Sequence, residues 1–218
     1  MAIARITWQD ATNSSVLTTV TATYPGATTA WNLLIACVWH NTESDVATIP
    51  GFTQAIDITA NVTIAGQLLY KVASGSETTI TATNTSASLM EIAIYEYEWF
   101  TWTPTLDKTA VGGSVFSATA STGTTATTTA SDEVAIVMAD YATQTYVSWS
   151  GSFNSRNNVV NGANLNTLAV ADKILASTGT QTSTITLNTT TGSIGAGIAT
   201  FKWVASASNP WFISFFLS

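Results

Sequence analysis

Cys37 and His40 are the only cysteine and the only histidine of the chain, and both lie in WNLLIACVWHN (31–41). A thiol beside an imidazole can be a nucleophile with its base, or two ligands of a metal. A working dyad needs the two side chains in contact, at about 3 Å. The segment reads as a β-strand, which sets Leu33, Ile35, Cys37 and Trp39 on one face. Asn32, Leu34, Ala36, Val38 and His40 fall on the other face, and Cys37 and His40 stand about 10 Å apart along the strand. The pair therefore reads as a small buried thiol and a polar residue at a strand end, with no catalytic or metal site assigned.

Glu96 and Glu98 form the next constellation. In IAIYEYEW (92–99) they share a face with Ile94, while Ala93, Tyr95, Tyr97 and Trp99 share the other. Two carboxylates about 7 Å apart have a spacing that glycosidases use, but two acids on one face of one strand more often serve a solvated or interface surface. The loop NTESD (41–45) offers Asn41, Glu43 and Asp45 as oxygen donors, without the glycine turn and distal bidentate acid of a calcium loop. The chain has no HExxH, CxxC, G-x-S-x-G, P-loop or dinucleotide fingerprint. The expectation is a protein that is not an enzyme and carries no cofactor.

The elements that would hold these residues come from an internal repeat. WNLLIACVW, GFTQAIDIT, GQLLYKVASGSETTITAT and EIAIYEYEW recur in the same order as DEVAIVMAD, GSFNSRNNV, LAVADKILASTGTQTSTITLN and GIATFKWV. Trp31 aligns with Asp132, Phe52 with Phe153, Lys71 with Lys173, Ile80 with Ile185 and Ile92 with Ile198. The offset between copies rises slowly along the chain, as small loop insertions produce. In this register Met138 and Tyr141 replace Cys37 and His40, and Lys202 replaces Glu96. Period-two alternation and turns at Pro25-Gly26, Pro50-Gly51, Ser74-Gly75, Gly112-Gly113 and Thr178-Gly179 mark short strands, and no stretch keeps a helical period.

The expected fold is an all-β, jelly-roll-like antiparallel sandwich made of two similar halves, about 14–102 and 115–204, in a single domain of 1–204. Two small sandwiches joined near 103–113 are the alternative. The segments 14–24 and 115–130 precede the two copies and are candidates for further strands.

Composition supports a folded β protein with a hydroxyl-rich surface. Charged residues make up 9% of the chain, against about 25% in ordinary domains. Net charge is −7, and the six basic residues, Arg5, Lys71, Lys108, Arg156, Lys173 and Lys202, are scattered. No basic patch is available for phosphates or anionic lipid, so neither nucleic acid nor membrane is an expected partner. The N-terminal MAIARITWQD has no apolar core of a secretory signal, which points to folding in a cytoplasm.

The last stretch, 205–218, is an apolar tail with Trp211, Phe212, Ile213, Phe215, Phe216 and Leu217. It is shorter than the ~20 residues of a membrane span. It reads as a final strand of its own sheet, as an oligomer-anchoring segment buried in a neighbouring subunit, or as a cleaved or membrane-dipping tail. Trp99, Trp102 and Trp149 are candidate contacts for a glycan.

The opening Met-Ala-Ile, WNLLIACVWHN, PGFTQ, LLYKVASGSETTITAT and IAIYEYE resemble small β-rich proteins encoded among the structural genes of tailed bacteriophages, and SDEVAIVMA and ADKILASTGTQTSTIT resemble the same group. The likeness spans roughly residues 3–204 and brings no catalytic residues with it. It implies a virion protein, a capsid decoration or head-fibre component, with a glycan-binding tail-tip or fibre module as the alternative. The implied partners are copies of itself, with a trimer as the expected homo-oligomer, and other virion proteins such as the major capsid or tail proteins.

Overall fold

The computed structural model describes residues 3–13, 15–41, 46–60, 64–98, 102–142, 145–160, 166–190 and 193–205. All regular structure among them is strand. The first half holds β1 (Ala4–Thr12), β2 (Leu17–Thr23), β3 (Leu33–His40), β4 (Thr53–Ala60), β5 (Ile64–Val72), β6 (Thr79–Ser88) and β7 (Met90–Glu98). The second holds β8 (Trp102–Val115), β9 (Thr119–Thr124), β10 (Glu133–Ala142), β11 (Tyr146–Trp149), β12 (Asn154–Val160), β13 (Asn166–Leu175), β14 (Thr182–Leu187) and β15 (Ile194–Ala205). Fold class is as the alternation requires: all-β, with antiparallel pairing throughout.

Each half builds its own pair of sheets. In the first, a five-stranded sheet in the order β1-β7-β3-β5-β4 is covered on one face by β2-β6. In the second, the order is β12-β13-β10-β15-β8, covered by β11-β14-β9. Read from the β1 and β8 edges, the two large sheets have the same strand order. Among the described residues every strand pairing stays inside one half. The segment 103–113 is part of β8, paired along its length with β15, and is not a linker.

The two large sheets then pack face to face, giving four layers. Strand parity explains why. In β3, Leu34, Ala36 and Val38 point to β2-β6 and join a core with Val20, Ala22, Ile80, Ile92 and Ile94. Leu33, Ile35, Cys37 and Trp39 point the other way, into a core shared with Val134, Ile136, Met138, Leu168, Val170, Phe201 and Trp203 of the second half. Ala135, Val137 and Ala139 of β10 face β9, β11 and β14 with Trp149, Phe153, Ile185 and Leu187. A strand apolar on both faces has to be covered twice. Here its own small sheet covers one face and the other half of the same chain covers the second. Each large apolar side chain so buried contributes about 1.5–3 kcal/mol.

The outer faces carry hydroxyls. On β2 and β6, Thr19, Thr21 and Thr23 stand opposite Thr83, Thr81 and Thr79, and the Thr21 and Thr81 Oγ1 atoms are 2.8 Å apart. On β9 and β14, Thr119 and Ser121 stand opposite Thr186 and Thr184. Cross-strand Thr pairs of this kind stabilise a sheet without bringing charge to its surface.

Candidate functional site

Cys37 and His40 are separated as strand parity requires. Cys37 is fully buried in the core between the halves, and burial pushes its thiol pKa far up. His40 is also fully buried, but on the other face. Its Nε2 lies 3.2 Å from Gln67 Oε1, which also accepts the Ala47 amide at 3.3 Å. Gln67 Nε2 in turn donates to Asp57 Oδ1 at 3.4 Å. This is a polar tie between β3, β5, β4 and the chain before Thr48, with no thiol in reach.

Glu96 and Glu98 do not work as a pair. Glu96 is buried, and its Oε1 accepts the Thr29 amide at 2.7 Å and Asn32 Nδ2 at 2.6 Å. It braces the loop that enters β3. Glu98 is half-buried at the strand end, opposite Ala4.

The second half does the same job with the charges rearranged. Glu133 stands at the position of Asn32 and accepts the Ala130 amide at 2.9 Å. Lys202 stands at the position of Glu96 and reaches Asp107 Oδ1 at 2.9 Å and Thr129 Oγ1 at 2.6 Å. Burial works against the Asp107 carboxylate, but hydrogen bonds from Thr129 and Lys202 hold it well below the usual range. Burial moves Glu133 the other way, upward. The replacement of Glu96 by Lys202 is thus a conserved brace of opposite polarity, which is structural work.

Among the described residues a third brace is found in the first half. Glu77 pairs with Lys71 at 2.6 Å, accepts Thr28 Oγ1 at 2.6 Å and takes the Ser74 amide at 3.0 Å. Together Glu77 and Glu96 fix both sides of the loop 28–32. At its tip Trp31 has φ +74° and is 65% exposed, held by its own N–H to Ala73 O at 2.9 Å. A bulky side chain in the left-handed region is strained by about 1–2 kcal/mol.

The polar groups with the least expected placement lie between the halves. Asp172 Oδ2 accepts the Tyr97 hydroxyl at 2.8 Å across the interface, and Oδ1 accepts Arg156 Nε at 2.7 Å. Tyr95 and Tyr97 are fully buried there, and burial, with the Asp172 charge beside Tyr97, raises both phenols well above their usual value. Asp140 is fully buried on the same inner face, its carboxyl carbon 3.5 Å from where a Cβ on Gly66 would sit. Among the described residues no side chain hydrogen-bonds either of its oxygens, and the backbone amides of Asp140 and Gly195 lie beside them. Burial raises its pKa to about 8, although the nearby amides of Asp140 and Gly195 offset part of that. The parity of VAIVMAD and LAVAD carried this signal: both aspartates fall on the faces of Ile136 and Val170, inside otherwise apolar strands.

Of the proposed aromatic contacts, Trp149 is buried in the second half's core against β14. Its ring packs inward and offers no open platform, which removes it as a glycan contact. Trp99 and the side chain of Trp102 lie outside what the structure describes, as do Glu43, Asp45 and the whole apolar run Trp211, Phe212, Ile213, Phe215, Phe216 and Leu217. Among the described residues no cluster of His, Cys, Asp and Glu has the makings of a metal site, and no helix is long and apolar enough to cross a membrane.

No protein-family profile matches the chain, and neither a curated protein nor a solved structure does.

Proposed function

We propose that this is a structural protein of a tailed-phage virion, a capsid decoration or head-fibre component that acts by assembly with copies of itself and with other virion proteins. The observation that carries the reading is where the chain spends its polar chemistry. Glu77, Glu96, Asp107, Glu133, Asp172 and Lys202 brace loops and the inner interface, while the outer sheets present rows of threonine. A surface low in charge and a rigid layered body suit a repeated building block. The tail with Trp211, Phe212, Ile213, Phe215, Phe216 and Leu217 supplies an apolar anchor for a neighbouring subunit.

The test compares the solution mass of the full chain with that of a chain lacking 209–218, by light scattering. The expected result is a symmetric oligomer, a trimer, for the full chain and a monomer for the shortened one. Equal masses for the two would remove the anchor, and a monomeric full chain would remove self-assembly.

A second reading, a tail-tip or fibre module that binds a host-surface glycan, is favoured by one feature, the exposed and strained Trp31. Exposed aromatic faces suit sugar rings. A glycan array on which W31A and the native chain give the same background signal eliminates it.

A further inference from the structure

We infer that the chain is a covalently joined dimer: the inner face of the five-stranded sheet is a self-complementary surface whose partner is a second copy of the same unit, related to the first by an approximate two-fold axis.

The equivalence of the halves follows from topology and from backbone detail. β1 to β7 without insertion correspond to β8, β9, β10, β12, β13, β14 and β15, with β11 as an addition. The aligned residues Trp31 and Asp132 both take a left-handed conformation, φ +74° and +59°. The aligned Gly51 and Ser152 do the same, φ +77° and +62°. A glycine explains itself at such a site. Tryptophan and serine there mean that the turn geometry is imposed by the repeat.

The two-fold relation follows from which strands touch. In an isologous interface, if element X of one unit meets Y of the other, then Y of the first meets X of the second. β1 packs on β12, and β4 packs on β8. β7 meets β12, and β4 meets β15. β7 meets β13, and β5 meets β15. β3 meets β13, and β5 meets β10. Each of these contacts is the reciprocal of its companion once equivalent strands are exchanged. A translational or head-to-tail stacking of the halves would not produce that pattern.

Side chains fill the symmetric frame unequally. Tyr70 of β5 meets Phe201 of β15 edge-on, ring centroids 5.2 Å apart. The reciprocal positions are Asp172 and Tyr95, and there the structure places the polar group of Tyr97, Asp172 and Arg156. Asp140 over Gly66 has Trp39 and Leu168 as its reciprocal. Two second halves joined to each other would set Asp172 against Phe201 and Trp203 at both sites, without the Tyr97 hydroxyl. The unlike pairing is therefore the one that satisfies Asp172, which keeps the halves of one chain together.

A two-fold axis makes a sharp geometric demand. The link from Glu98 to Trp102 consists of Trp99, Phe100 and Thr101. Four residue steps reach at most about 14 Å, enough to cross between sheets about 10 Å apart. Under the two-fold, the distance from the equivalent end, Val204, to the equivalent start, Ile3, is the same. A circular permutant running from Trp102 to Val204, then through Trp-Phe-Thr to Ile3 and on to Glu98, is expected to fold as a monomer of the same core. Its melting temperature is expected within about 5 °C of the full native-order chain. A second permutant keeps every residue, joining Ser218 directly to Met1. If only this long-linked form folds, the two-fold axis is wrong. If neither permutant folds while the native-order chain does, the halves are not self-sufficient units and the inference fails entirely.

Discussion

Asp140→Asn is expected to stabilise the protein at neutral pH and to do so in a pH-dependent way. In the folded chain Asp140 is enclosed between the two large sheets, with no side-chain hydrogen bond to either oxygen among the described residues, and its pKa is raised from 3.8 to about 8. The unfolded chain keeps the ordinary value. Well below its unfolded value of 3.8 the group is protonated in both states and costs nothing. Between the two pKa values the unfolded state is ionised and folding must take up a proton, which costs about 1.4 kcal/mol per pH unit. At pH 7, about three units above the unfolded value, that is about 4 kcal/mol. Above pH 8 the penalty is complete and constant.

Asparagine cannot ionise, so the variant escapes this cost but still buries an amide, worth about 1–3 kcal/mol if unpaired. The net gain at pH 7 is therefore expected at about 1–3 kcal/mol, shrinking to zero or below at pH 4. Urea unfolding of both proteins from pH 4 to pH 9 reads it directly. The quantity that decides is the difference between the two proteins, because every other titrating group is common to both. A difference that does not change with pH would refute the argument that Asp140 is a buried, protonated acid. A difference that falls as pH rises would reverse its sign.

Three further outcomes are expected. Trp31→Asn relieves the left-handed strain at φ +74° and raises stability by about 1 kcal/mol, measured by urea midpoint; a loss of stability would mean that the indole is held by contacts that outweigh the strain. Gly197→Ala places a Cβ 2.8 Å from Ile56 Cγ2 across the interface between the halves, and overpacking of this kind costs about 1–3 kcal/mol. A double-mutant cycle with Ile56→Ala should recover part of it, and strict additivity would deny the contact. Cys37, fully buried with its thiol pKa pushed far up, should resist iodoacetamide in the native protein at pH 8 and react on unfolding; rapid native labelling would place it on an accessible surface.

Much of the architecture was legible because it is periodic. Alternation in 33–40 and 92–98 sorted each strand into two faces, and those faces are the ones that pack. The same parity separated Cys37 from His40. The repeat was legible as well, down to the aligned turn residues Trp31 and Asp132. What escaped were the edge strands that open each half: β1 (Ala4–Thr12), which lies before the expected start of the first half at 14, and β8. The sequence of β8, WTPTLDKTAVGGSV, has a proline and paired glycines that read as a linker. The pairing with β15 overrides those local preferences. Gly112 supplies the reason for one glycine: a Cβ there would collide with the Ser121 carbonyl of β9. Trp149 escaped for a related reason. It lies on a four-residue strand too short to show alternation, so its direction was set by the sheet it joined.

The amino-acid sequence by itself determined most of the strands, the faces of the central ones and their duplication, since these depend on side-chain parity and turn residues within a few positions of each other. It also determined that the central strands must be covered twice. Only the tertiary structure decided what provides the second cover. The partner of the Leu33, Ile35, Cys37 and Trp39 face lies about a hundred residues away, and no local pattern distinguishes another half of the same chain from a neighbouring subunit. That choice was made by the match between two sheets: Tyr97 finding Asp172, Gly66 leaving room for Asp140, and Gly197 admitting Ile56.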